Sequence, residues 1–191
     1  MGQRLNIELV HNDKTIANCY YHWSAYTSCA CELTKIILNN YNRPPNPEAL
    51  TDDGWLLLAV RLLESTGAGI YTEDIPTFEE KFKDMTFKAG LDRNDGLISI
   101  TEASIENTRN WEEGSVVIDL DNLMVSFDVI RWLGETDSEE LECMEIVPEE
   151  LETIDADPKG IPFDEFPSFA EKVCSVDAFK DADGEMWSTI C

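Results

Sequence analysis

The sequence predicts an α+β fold, with an N-terminal β-hairpin and helices packed on a mostly antiparallel sheet and an acidic C-terminal half. Three observations carry this reading. Two strand-like runs flank a turn signal at the start, helical periodicity follows as far as residue 66, and the apolar period changes to two from Leu97. Strands and helices segregated in this way argue against alternating βαβ units.

The elements follow in order. "RLNIELVHNDKTIANCYYHW" reads as a hairpin over residues 4–10 and 15–23, with Asn12 and Asp13 in the turn. Ser24 is the expected N-cap of a helix, "SAYTSCACELTKIILNNY", whose Ala30, Leu33, Ile37 and Leu38 share one face. "NRPPNP" ends that helix, because proline removes a backbone donor and restricts the residue before it. A second helix is expected over 48–66, capped by Thr51 or Asp52 and stopped by "GAG". Its run "WLLLAVRLL" is apolar around nearly the whole circumference, which predicts a buried helix. "TFEEKFKDMTF" is a short amphipathic segment, and "KAGLDRNDG" is rich in turn residues.

"LISIT", "SVVIDLD" and "LMVSFDVIRWL" then read as strands, with a tight turn at Asp121-Asn122. In the third, Leu123, Val125, Phe127 and Val129 point one way and Met124, Ser126 and Asp128 the other. "KGIPFDEFPSF" is a proline-interrupted loop and "AEKVCSVDAF" a last helix. The 191 residues suit a single domain, 1–191, made of a body over 1–134 and an acidic part over 135–191.

Charge narrows the function classes. The chain has 39 acidic and 14 basic residues, a formal net of −25, with 43% hydrophobic residues, enough for a folded core. A field of this sign repels nucleic-acid phosphates and anionic membranes and attracts basic proteins. Direct nucleic-acid binding and membrane association are therefore excluded as expectations. The imbalance is uneven: residues 1–110 hold 10 basic and 16 acidic residues, and residues 111–191 hold 4 and 23. Glu135 to Asp157 contains 11 carboxylates and no basic residue, interleaved with Leu141, Met144, Ile146, Val147, Leu151 and Ile154. Such a tract reads either as a solvated face or as an imitation of nucleic acid. In the second reading Glu139, Glu140, Glu142, Glu145, Glu149, Glu150 and Glu152 contact a basic groove.

Motifs for chemistry are sparse, and no catalytic residue, metal or cofactor is expected. Cys29-Ala30-Cys31 lacks the spacer of roughly two to four residues found in zinc knuckles, and the chain has two histidines. "DRNDGLISITE" fails as a calcium loop, since setting Gly96 at the loop's glycine puts Leu91 and Arg93 at ligand positions. "TGAGIY" follows a helix and reads as its C-terminal stop, not a phosphate loop. Ser24 and His22 share a face with Tyr20, but Ser24 also suits a cap and His22 a backbone carbonyl partner. If a small-molecule pocket exists, it lies at the end of the hairpin among Tyr20, His22, Trp23, Ser24 and Tyr26, where aromatic faces suit a base and a helix N-terminus a phosphate.

No apolar run reaches the roughly 18 residues of a membrane span, and the N-terminus has neither an apolar signal core nor the Ser or Thr that myristoylation wants at the place of Asn6. The chain reads as cytoplasmic, with its six cysteines reduced.

"MGQRLNIELV" together with "ANCYYHWSAYT" resembles small acidic proteins encoded by phages and prophages of low-GC Gram-positive bacteria, over about the first thirty residues. The resemblance transfers no site residue. It implies a class of task, the blocking of host defence nucleases such as restriction and CRISPR enzymes, in the host cytoplasm. Three readings follow: a non-enzymatic inhibitor that mimics nucleic acid and binds a basic host nuclease, a protein that binds or hydrolyses a nucleotide or other small molecule at the hairpin's end, and a phage structural or regulatory protein making protein contacts alone.

Overall fold

In this computed structural model the hairpin comes first, β1 (Leu5–His11) paired antiparallel with β2 (Lys14–Tyr21), so that Leu5 lies opposite Tyr21. The structure describes residues 4–22, 27–112, 114–128 and 160–174. Asn12 and Asp13 take φ values of 52° and 58°, the left-handed pair that a two-residue hairpin turn matching the strand twist requires. Asn and Asp tolerate that conformation better than other side chains.

After the hairpin, α1 (Thr27–Asn40) buries Ala30, Leu33 and Ile37, the stripe its spacing predicts. A single 3-10 turn at Pro47–Ala49 leads to α2 (Asp52–Glu64), where the Thr51 side chain accepts from the Gly54 amide. This helix buries Trp55, Leu56, Ala59, Val60, Leu62 and Leu63, and Gly67 closes it at φ 96°. Next come β3 (Gly69–Tyr71), α3 (Ile75–Lys81), β4 (Ala89–Gly90) and β5 (Leu97–Ser99). The remaining elements are α4 (Glu102–Arg109), β6 (Gly114–Asp119), β7 (Met124–Asp128), β8 (Ile161–Pro162) and α5 (Phe166–Cys174).

The strands form one eight-stranded sheet in the order β4-β3-β5-β2-β1-β6-β7-β8. The fold is α+β, and the sheet is mixed: β1 and β2, β2 and β5, β6 and β7, and β7 and β8 pair antiparallel, while β1 and β6, β3 and β5, and β3 and β4 pair parallel. Strands β3 and β4 are too short for alternation to announce them. Their backbones approach so closely that a Cβ on Gly69 would lie 2.6 Å from Ala89 backbone atoms.

Strand alternation divides the sheet into two unlike faces. On one, Leu5, Ile7, Leu9, Ala17, Cys19 and Tyr21 join the main core with Trp55, Val60 and Leu63 of α2 and Ile37 of α1. On the other, Asn6, Glu8, Asn18 and Ser99 are buried beneath α4. Helix α4 is the element the sequence pattern hides, because its buried residues are Ser104, Ile105 and Thr108, with one apolar side chain among them. Local chemistry forms it instead: Thr101 and Ser104 make a reciprocal cap at its N-terminus.

Two further differences have physical reasons. The last helix begins at Phe166, four residues before the expected start at Ala170, because Pro167 sits in its first turn where a missing amide is harmless. Cys19 and Cys31 are buried thiols outside any disulfide, but Cys29 is disulfide-bonded, which corrects the expectation that all six are reduced. Its partner is neither of its near neighbours, so short-range spacing carried no signal of the bond.

Candidate functional site

At the open end of the hairpin, β2 delivers Tyr20 and the chain then places His22 on the same side. The Tyr20 hydroxyl lies 2.8 Å from His22 Nδ1, so the partner on that nitrogen is a phenol and not the expected backbone carbonyl. The His22 amide donates to the Arg93 carbonyl at 3.1 Å, which ties the hairpin's end to the turn before β5. Tyr20 is 1% exposed. Its ring meets Trp111 edge-on, at 5.3 Å between centroids and 79° between planes. The Arg93 guanidinium stands 5.1 Å over the Trp111 ring, a cation–π contact, and Arg4 Nη1 reaches the Trp111 carbonyl at 3.5 Å.

Asn6, directly opposite Tyr20 across the hairpin, forms the floor of this cluster. Its side-chain amide donates to Glu112 Oε2 at 2.9 Å and to the Thr108 carbonyl at 3.1 Å. The cluster thus presents an aromatic wall, a guanidinium, an imidazole and a carboxylate around one strand end. Those groups suit a planar ring with polar edges.

Of the residues expected there, the structure brings Tyr20 and His22 together. Trp23, Ser24 and Tyr26 lie outside the described residues, as do Glu139, Glu140, Glu142, Glu145, Glu149, Glu150 and Glu152. Sequence reasoning missed Arg93 and Trp111. Neither lies in a periodic segment, and each reaches the cluster through the sheet order alone.

Tyr21 points the opposite way and lines a separate cleft of about 280 Å³ with Leu33, Thr66, Gly67, Lys88, Asn94 and Asp95. That volume falls just under the roughly 300 Å³ at which small-molecule sites begin. Its cation is engaged in the fold: Lys88 Nζ donates to the Gly67 carbonyl at the end of α2 and lies 3.7 Å from Asp95. The Tyr21 hydroxyl is paired with Thr66 Oγ1 at 2.7 Å, and burial holds its pKa well above the ordinary tyrosine value.

The second histidine sits at the hairpin's turn. His11 Nδ1 meets Asp121 Oδ1 at 2.7 Å, Nε2 meets the Asn12 side-chain nitrogen at 2.9 Å, and the ring stacks on Trp55 at 4.2 Å. With Nδ1–H donated to Asp121, the ring joins the β1–β2 turn to the β6–β7 turn, while Nε2 accepts from Asn12 within its own turn. This is an imidazole–carboxylate pair in a structural role.

Among the described residues no group of three or more His, Cys, Asp or Glu side chains is placed to hold a metal ion, and no helix is long and apolar enough to cross a membrane. Comparison with known protein families, with curated proteins and with solved structures finds no match.

Proposed function

We propose that the protein is a non-enzymatic, phage-type inhibitor acting in the host cytoplasm, which offers its acidic C-terminal half to the basic nucleic-acid groove of a host defence nuclease, a CRISPR effector or a restriction enzyme. The observation that carries this reading is the charge of residues 111–191, 23 acidic against 4 basic. Ion pairing within the body supports it. Arg61, Lys81, Lys88 and Arg109 are bound to Glu64, Asp53, Asp95 and Glu8, so these cations neutralise carboxylates of their own neighbourhood. The C-terminal excess then meets a partner with its field intact, and binding gains from counterion release and electrostatic steering. A pull-down from bacterial lysate at low and high salt tests it. A nucleic-acid-handling protein should be captured at low salt and lost at high salt. Capture that survives substitution of Glu139, Glu140, Glu142, Glu145, Glu149, Glu150 and Glu152 by Lys with unchanged salt sensitivity sinks the proposal.

A second reading, binding of a nucleotide or similar ring-bearing small molecule at the hairpin's end, is favoured by Arg93 over Trp111 with Tyr20 and His22 beside it. Stacking faces next to a guanidinium suit a base and an anion. Thermal-shift screening with nucleotides should show stabilisation that disappears in His22→Ala. A flat screen removes this reading.

A further inference from the structure

We propose that α4 is a hydrogen-bonded cover, which opens as a unit while the rest of the sheet stays folded and bares Asn6, Asn18 and Ser99. The first support is the seat itself. The main core holds none of the α4 side chains, and the sheet beneath the helix presents amides, a hydroxyl and a carboxylate where the opposite face presents Leu5, Ile7 and Leu9. Burial of apolar surface is what makes most helices inseparable from their domain. Here Ile105 is the one apolar side chain that α4 buries.

Polar contacts hold the helix instead, at its N-terminus and along its last turn. At its N-terminus the buried carboxylate of Asp74, from the turn before α3, accepts from the Ile100 amide at 2.6 Å, from the Thr101 hydroxyl at 2.7 Å and from the Ser104 hydroxyl. In its last turn, the Thr108 hydroxyl pairs with the Asn18 side chain while Asn6 donates to the Thr108 carbonyl. At the C-terminal end Arg109 holds Glu8. When α4 lifts, each of these groups finds water, so the net loss per contact is small compared with exposing a core.

The second support is independent of the first. Asn6 Oδ1 and Ser99 Oγ have no hydrogen-bond partner among the described residues, though both side chains are fully buried. Buried polar atoms are nearly always paired, and an unpaired one favours any state that hydrates it. Opening of α4 hydrates both. The motion has a consequence for the aromatic cluster, because Trp111 follows α4 directly and its amide donates to the Thr108 carbonyl. Lifting the helix takes Trp111 off the edge of Tyr20 and uncovers the floor formed by Asn6.

Hydrogen exchange read by mass spectrometry on the full chain tests this. Amides of α4 should exchange at least about tenfold faster than those of β6, through an opening whose rate does not respond to low denaturant as global unfolding does. Glu8→Gln, whose contact with Arg109 is lost when α4 opens, should speed α4 exchange by a further factor of about ten and keep it at least about tenfold faster than β6. Arg109→Lys, which keeps the charge and loses the two-pronged contact, gives the same comparison if the first variant fails to fold. Exchange of α4 at the β6 rate in the unmodified protein, or α4 exchange that neither variant accelerates, overturns the proposal.

Discussion

The guanidinium of Arg109 holds both oxygens of the Glu8 carboxylate, Nε on Oε1 and Nη2 on Oε2 at 2.6 Å each, and so ties the end of α4 to the middle of β1. Thr15 completes the arrangement by donating to Glu8 Oε2 at 2.6 Å. Burial pushes the Glu8 carboxyl up, but the hydrogen bonds from Arg109 and Thr15 and the Arg109 charge more than offset it and leave the pKa below its ordinary value. The folded state therefore binds this proton more weakly than the unfolded chain does. The resulting stability is present above the ordinary glutamate value near 4.5 and is lost as pH falls through the lower folded value. Urea titrations between about pH 6 and 3 should show a falling acid limb that is flatter in Glu8→Gln. At neutral pH that variant should lose about 1–2 kcal/mol.

Asp74 is the other buried carboxylate at α4, and truncation strands the donors that meet there. Asp74→Ala should lower unfolding free energy by about 2–4 kcal/mol, measured by chemical denaturation, whereas Asp74→Asn keeps one acceptor and should lose about half as much.

Gly96 is set at φ 99°, and a Cβ there would lie 2.6 Å from Tyr21 Cε1 and 2.8 Å from Ala68 Cβ. Conformational strain and overpacking add at one position. Gly96→Ala should cost about 2–4 kcal/mol and lower the melting temperature, with the Tyr21 environment altered in near-ultraviolet circular dichroism.

The hairpin turn offers a change in the opposite direction. Asp13 holds φ 58° at the second turn position, where glycine is preferred. Asp13→Gly should raise stability by about 0.5 kcal/mol and Asp13→Val should lower it by about 1–2 kcal/mol, both read from urea midpoints.

Burial pushes the Cys19 thiol up to about 12, against a smaller opposing effect of its hydrogen bond with Tyr21. A raised value means stability that is present below the ordinary thiol pKa and lost as pH rises toward 12. Folded protein at about pH 8 should therefore label at Cys19 with iodoacetamide far more slowly than the same chain in denaturant, as peptide mapping would show.

Legibility in the sequence followed the physics of each element. The hairpin, α1 and α2 were readable because turn chemistry, a proline stop and an apolar stripe act within a few residues. Helix α4 was not, since its seat is polar and the hydroxyls of its Thr101–Ser104 cap are held from Asp74, some 30 residues upstream of Ser104 in the chain and adjacent in the fold. The parallel pairing of β1 with β6 was also hidden, because each strand alone shows only that it has a buried face. At the candidate site Tyr20 and His22 were found from their shared face, while Arg93 and Trp111 arrive by topology.

Strand β1 lies between β2, its immediate neighbour in sequence, and β6, whose partner residues start at Gly114. The hairpin closes a two-residue loop and can form within microseconds. Its other edge must wait until more than a hundred residues have been made and α1 to α4 have found their places. Until then β1 exposes an open edge with Leu5, Ile7 and Leu9 on one side, a template for pairing with another chain. The rate-limiting step of folding should be the docking of β6, and the yield of native protein should fall with concentration at that step more than at any later one.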